Sequence, residues 1–213
     1  MDSTNLMLYF LVVLATCITP GAGVLYTLQN AVMYGKSRAF CSPTGVALGN
    51  LIMSIIAATG LGAVITSSPK LFAGLQIAGC LLMIYFGYKS WVAPPLSLSQ
   101  QIESFKDPSP SKARFKIFSS AALLQLTNPM LIIFLLSLMP QFVSHTSSYA
   151  LQLTVLISIF VVTCWLVHII YSYSAAYAAG RWMNEKFSKI VNRTGAVLFW
   201  LISASVLVKL YAV

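Results

Sequence analysis

The chain has 213 residues, 58% of them hydrophobic and only 8% charged, with a mean hydropathy of +0.84. A soluble domain carries about 25% charged residues, so this composition excludes one and describes an integral membrane protein with no sizeable soluble part. The net charge of +9, from 13 Lys and Arg against four acids, could suggest nucleic acid, but the basic residues sit at span ends and in short loops. That placement is a topology signal, and it argues against a nucleic-acid partner.

The N-terminus begins Met1-Asp2, without a positive region or a credible cleavage site, and reads as a retained first span rather than a signal peptide. This span covers about residues 4–33 and is interrupted by Thr19-Pro20-Gly21. Proline removes one backbone N–H and clashes with the carbonyl four residues back, so a helix breaks or kinks there. A second span runs from about Pro43 to Thr66, after a loop carrying Lys36 and Arg38. A third runs from about Leu71 to Trp91, entered through Ser67-Ser68-Pro69. Residues 92–114, rich in Pro, Ser and Lys, read as a linker.

Between Lys116 and Arg181 there is no Asp, Glu, Lys or Arg. That stretch is too long for one helix and holds two spans, about 116–143 and 149–179. The fourth span is interrupted by Thr127-Asn128-Pro129, and a turn at 144–148 separates it from the fifth. A last span covers about 191–213. The expected fold is therefore all-α, with six transmembrane helices in three plus three and helices one and four broken. An odd number of spans per half inverts the second half relative to the first. The organisation is then a first repeat at 1–91, a linker at 92–114 and a second repeat at 115–213. Matching interruptions in two inverted halves point to a transport site near the bilayer midplane.

An amino-acid zwitterion at such a site needs partners for a carboxylate and an ammonium. Half-helix N-termini offer unpaired N–H groups and a positive dipole end to the first. Half-helix C-terminal ends and side-chain amides offer carbonyl oxygens to the second. Thr19, Pro20, Gly21 and Gly23 from the first break, and Gln125, Thr127, Asn128 and Pro129 from the second, are the expected substrate-binding residues. Asn50 joins them; it follows Gly45-x-x-x-Gly49, a small-residue stripe that permits close helix packing. Its alternative role is to hydrogen-bond a neighbouring helix, and Gln29, Asn30, Gln76 and Gln125 share that ambiguity. The stripe itself fits packing within the bundle better than dimerisation, with a homodimer left open. No acid lies inside any span, so His168, in the fifth, is the candidate for carrying a proton. Trp91, Trp182 and Tyr211 read as interfacial anchors.

Cys17, Cys41, Cys80 and Cys164 show no C-x-x-C and no pairing with His at metal spacing. They read as small buried hydrophobes, and no metal or cofactor is expected. Cys17 ahead of Pro20 opens a second reading, a membrane thiol oxidoreductase, which needs a partner thiol that the fourth-span motif lacks. A small-solute channel is a third. No phosphate loop or nucleophilic triad is present, which argues against ATP-driven pumping and against an enzyme.

Ile18-Thr19-Pro20-Gly21, Gly45-Val46-Ala47-Leu48-Gly49-Asn50, Leu126-Thr127-Asn128-Pro129, Leu138-Met139-Pro140-Gln141-Phe142 and Tyr85-Phe86-Gly87-Tyr88-Lys89 stand in this order along nearly the whole chain. In sequence and spacing they resemble the LysE/RhtB family of amino-acid exporters. The resemblance implies a six-helix protein of the bacterial inner membrane that exports amino acids or close derivatives, driven by the proton gradient. Three positions depart from the family pattern: Ala22 where a second proline is common, Asn50 where an aspartate is usual, and Met130 where a lysine is frequent. Both charges of the family's core motifs are thereby absent.

Eleven of the 13 basic residues flank the first, third and fifth connections; only Lys70 and Lys209 fall on the other side. The positive-inside rule places those connections in the cytoplasm and both termini in the periplasm. A reporter active only in the periplasm, fused to the C-terminus, is expected to be active; activity of a cytoplasm-only reporter there would reverse the orientation.

Overall fold

The computed structural model describes residues 3–19, 21–67, 69–94, 114–143, 148–178 and 185–211. Among them every regular element is helical: α1 (Ser3–Ile18), α2 (Ala22–Tyr34), α3 (Cys41–Ser67), α4 (Pro69–Val92), α5 (Arg114–Leu126), α6 (Pro129–Leu138), α7 (Tyr149–Ala178) and α8 (Glu185–Tyr211). Two short 3-10 turns, Lys36–Arg38 and Met139–Gln141, complete the set. The 92–114 linker falls mostly outside the described residues, as do Pro20, Trp182 and most of the 144–148 turn. The last helix begins about six residues earlier than its apolar run, with Glu185 in its first turn, where an acid complements the helix dipole.

Two stretches, Lys36–Leu61 and Tyr149–Tyr177, are long and apolar enough to cross a membrane alone. Two bent pairs raise the number to as many as four: α1 with α2 at 52°, and α5 with Met130–Gln141 at 59°. Leu81, Leu151, Ile170 and Leu201 lie exposed on the helices. Large apolar side chains on the outside as well as the inside are what a helix facing lipid requires, and the chain is a multi-pass membrane protein.

Local chemistry explains both bends. Asn128 has φ −87° and ψ 101°, the extended conformation that a following proline imposes. Its side chain accepts a hydrogen bond from Met130 N (3.1 Å), so Asn128 caps α6 while Pro129 occupies the first turn, where its missing N–H costs nothing. The first bend is built differently on its far side. Gly21, also extended, stands at the N-cap of α2 with no side-chain cap. On their near sides the two bends match: Thr19 Oγ1 donates to Ala15 O and Thr127 Oγ1 to Leu123 O, each at 2.8 Å and each four residues back. The carbonyl of Ile18, at the end of α1, accepts from Tyr171 Oη of α7 (2.7 Å).

Small residues set the helix contacts. A Cβ on Gly45 would collide with the Phe118 carbonyl oxygen, and one on Gly49 would lie 2.7 Å from Gln125 Cβ. The Gly45/Gly49 stripe therefore packs inside the bundle, with α3 against α5. On the other side α4 and α8 run together, Gly87 making room for the Trp200 indole, whose Nε1 donates to Ile84 O (3.2 Å). The long helix α7 touches α1, α2 and α3, donating through Ser172 Oγ to Ala39 O (2.6 Å) and accepting at Leu156 O from Tyr9 Oη (3.1 Å).

Overpacking at such a contact costs about 1–3 kcal/mol. Gly45→Ala should lower the melting temperature of the detergent-solubilised protein, whereas Gly60→Ala, with open space around its Cβ position, should not. Equal melting temperatures would mean that α3 and α5 are farther apart.

Candidate functional site

The two bends face one cavity of about 370 Å³. From the first bend it takes Thr16, Cys17 and Thr19 at the end of α1, and Gly21, Ala22, Gly23 and Val24 at the start of α2. From the second it takes Gln125, Asn128 and Met130. Asn50 of α3 and Cys164 and His168 of α7 line its polar side. Phe86, Phe134, Phe160 and Phe199 line the other. Lys89, Ser90, Ala93 and Pro94, where α4 ends, and Asn192, near the start of α8, line one end. Lys89 and Pro94 are exposed, so the cavity is open there.

A chain of side-chain amides joins the second bend to α7. Asn128 Nδ2 donates to Gln125 Oε1 (3.4 Å), Gln125 Nε2 to Asn50 Oδ1 (2.7 Å), and Asn50 Nδ2 to Cys164 Sγ (2.9 Å). One turn further along α7, His168 Nδ1 meets Thr27 Oγ1 of α2 at 3.0 Å, and Thr27 meets Ser42 Oγ of α3 at 3.2 Å. Gly23 fits between these groups: a Cβ there would lie 3.3 Å from both Gln125 Nε2 and His168 Cε1. All of Thr27, Asn50, Gln125 and His168 are buried. Satisfied networks of this kind hold helices in one arrangement, since each member stripped of its partner would be left unpaired in low dielectric.

Of the residues expected at the site, Thr19, Gly21 and Gly23 line the cavity, as do Asn50, Gln125 and Asn128 and the proton candidate His168. Asn50 lines the cavity and also bonds two neighbouring helices. Thr127 does not line it; exposed, its hydroxyl is turned back on its own helix at Leu123 O. Pro129 is the first residue of α6, and Pro20 lies outside the described residues. Gln76 donates instead to Pro140 O (3.0 Å) and Asn30 to Tyr26 O (2.6 Å), away from the cavity.

Sequence reasoning missed Lys89, Ser90 and Asn192. Lys89 read as a topology marker and Asn192 as the start of a span, and they come to line one cavity only because α4 and α8 pair along their length. Cys17 and Cys164 are 147 residues apart yet both line the cavity, as free thiols. No spacing rule connects them. Among the described residues, no three His, Cys, Asp or Glu side chains are grouped to hold a metal ion.

The family of LysE type translocators matches residues 14–210 of the chain. The "Uncharacterized membrane protein YrhP" of Bacillus subtilis is 30% identical over 199 residues, covering 91% of this chain and 94% of that protein. The homoserine/homoserine lactone efflux protein of Salmonella typhimurium is 27% identical over 197 residues, 92% of each chain. The leucine efflux protein of Salmonella choleraesuis is 28% identical over 145 residues, 68% of this chain and 66% of that one. No solved structure matches. A match from the end of α1 to the end of α8 takes in both bends and every element around the cavity, and the chain belongs to the LysE type translocator family.

Proposed function

We propose that the protein is a secondary transporter exporting amino acids or close derivatives across the bacterial inner membrane. One observation carries this reading: the two helix bends and the amides around them converge on a single cavity rather than on lipid or on a packed core. Irregular backbone at membrane depth is tolerated where it is buried in protein or lines such a cavity. Relatives named for the efflux of homoserine, its lactone and leucine support the amino-acid class.

The spans form a 3+3 inverted repeat of six. Its support is the matched threonine chemistry of the two bends and the pairing of α4 with α8 and α3 with α7, which the repeat maps onto themselves. The cavity opens at the Lys89 end, which the positive-inside rule assigns to the cytoplasm, with both termini periplasmic. An exporter loads from that side. Thr19, Gly21, Gly23, Asn50, Gln125 and Asn128 face the substrate, while Thr127 and Pro129 shape the second of the bends that hold it. His168, buried against Thr27 and lining the cavity, carries the proton that couples export to the gradient. The apolar outer faces hold lipid, and the Gly45/Gly49 stripe is used within the protomer.

Two free thiols lining one cavity favour a competing reading, membrane thiol oxidoreduction at Cys17 and Cys164. Purified protein in liposomes separates the alternatives. Saturable counterflow of amino acids, retained in a variant with all four cysteines replaced by alanine, is expected. No amino-acid counterflow at all would defeat the export reading, and non-saturable flux would indicate a channel. In the same vesicles His168→Gln should abolish the stimulation of efflux by a pH gradient while leaving counterflow in place; unchanged stimulation would exclude His168 from coupling.

A further inference from the structure

We propose that Asn192 accepts the substrate's ammonium group, and that the site selects neutral amino acids with apolar side chains. This rests on the export reading and goes beyond it, since nothing in the chain's motifs marks Asn192.

Asn192 is only 4% exposed, lines the cavity, and its Oδ1 has no hydrogen-bond partner among the described residues. Its backbone carbonyl is used separately, accepting from Ser90 Oγ at 2.8 Å. Buried amide oxygens are nearly always paired, because an acceptor stripped of water and given no donor is destabilising. Most other amides at this site are committed: Gln125 to Asn50, Asn50 to Cys164, and Asn128 to the cap of α6. Asn192 therefore holds a buried acceptor, unmatched among the described residues, on a residue that lines the cavity, and a donor brought against it completes it.

Its position relative to the first bend decides which donor. Gly195 lies one turn further along the same face of α8. A Cβ on Gly195 would be 3.4 Å from Thr19 Oγ1 and 3.8 Å from Ser90 Oγ, so this face abuts the end of α1. Beyond Thr19 comes the start of α2, whose N-cap Gly21 supplies no side-chain oxygen. The first-turn N–H groups of a helix have no partner within it, and they carry its positive dipole end. At α6 that place is filled by Asn128 accepting from Met130 N, and at α2 it is not. An α-carboxylate directed at Ala22 and Gly23 leaves the ammonium on the Asn192 side, where a charged donor to a neutral oxygen makes a strong hydrogen bond.

The rest of the cavity reads the side chain. Phe86, Phe199, Phe134 and Phe160 form a continuous wall, with ring centroids 6.4 Å apart for Phe86–Phe199, 6.2 Å for Phe134–Phe199 and 6.3 Å for Phe134–Phe160. Among the described lining residues there is no Asp or Glu, and Lys89 is the one Lys or Arg. A lysine or arginine side chain would meet no counter-charge and would be repelled by Lys89. A glutamate side chain would have to leave water for a phenylalanine surface. A leucine- or phenylalanine-like side chain meets neither obstacle.

The test uses the full-length protein in liposomes, with radiolabelled leucine in counterflow against competitors. Leucine and phenylalanine should be transported at least tenfold more efficiently than lysine and glutamate. Isocaproate, which is leucine without its amino group, should compete at least tenfold less well than leucine. Asn192→Leu should raise the KM for leucine and bring the leucine-to-isocaproate preference close to unity, with an undiminished melting temperature in detergent. Asn192→Asp, which keeps an acceptor at that position, should retain the preference even if Asn192→Leu folds poorly. An unchanged preference in Asn192→Leu, or its loss in Asn192→Asp, would overturn the role of Asn192. Equal transport of lysine or glutamate would overturn the selectivity while leaving amino-acid export intact. Absence of counterflow for every amino acid would instead overturn the export reading.

Discussion

In a bilayer core no water is at hand to pair with a broken helix, so every N–H and C=O freed by a bend has to find its partner inside the protein. The arrangement of this chain follows from meeting that requirement twice. The end of α1 is closed by Thr19 on Ala15 O and by Tyr171 on Ile18 O; the end of α5 is closed by Thr127 on Leu123 O, and the start of α6 by Asn128 on Met130 N. The start of α2 has no such side-chain cap. Because one partner of the first bend comes from α7, that bend depends on the assembled bundle, whereas the second is closed by its local motif. The cavity is where the two bends meet.

Close approach of helices makes that meeting possible. Gly45 and Gly49 bring α3 against α5, which puts Asn50 within reach of Gln125, and Gly23 lets the first turn of α2 lie against Gln125 and His168. Ordinary side chains at these positions would separate the helices by more than a hydrogen bond can span. The amides are thus tied together by backbone proximity, and α7 closes the network through Cys164 and His168. Rigidity on this polar side contrasts with the phenylalanine wall opposite, whose rings offer area and no fixed donor. The result is a site with one oriented face and one permissive face.

Several of these features are written locally and could be read without the fold. Asn128-Pro129 is a helix cap and first-turn proline in any context, and Gly45-x-x-x-Gly49 is a close-packing stripe wherever it meets a partner. The helices α3, α4 and α7 lie within about two residues of the apolar runs that announced them. The amide cluster was legible as a set of candidates, though Thr127 turned out to serve its own helix end rather than the cavity. Residues whose role depends on a distant neighbour were not legible. Cys17 and Cys164 on one cavity, Lys89 at its mouth and Asn192 with an oxygen unpaired among the described residues are each set by the packing of α1 on α7 or of α4 on α8. Nothing within a few residues of them signals that contact.

Sequence alone therefore determined the membrane environment, the positions of the two bends and the absence of acids from the apolar runs, because composition, proline and charge act through the chain's own backbone and its solvent. Tertiary structure alone decided that the bends share one cavity, that amides and a histidine form one of its walls and four phenylalanines the other, and that Asn192 is the acceptor left over. Those properties are distances between helices far apart in the chain. They exist only once glycines have let the helices close and the freed backbone groups have chosen their partners.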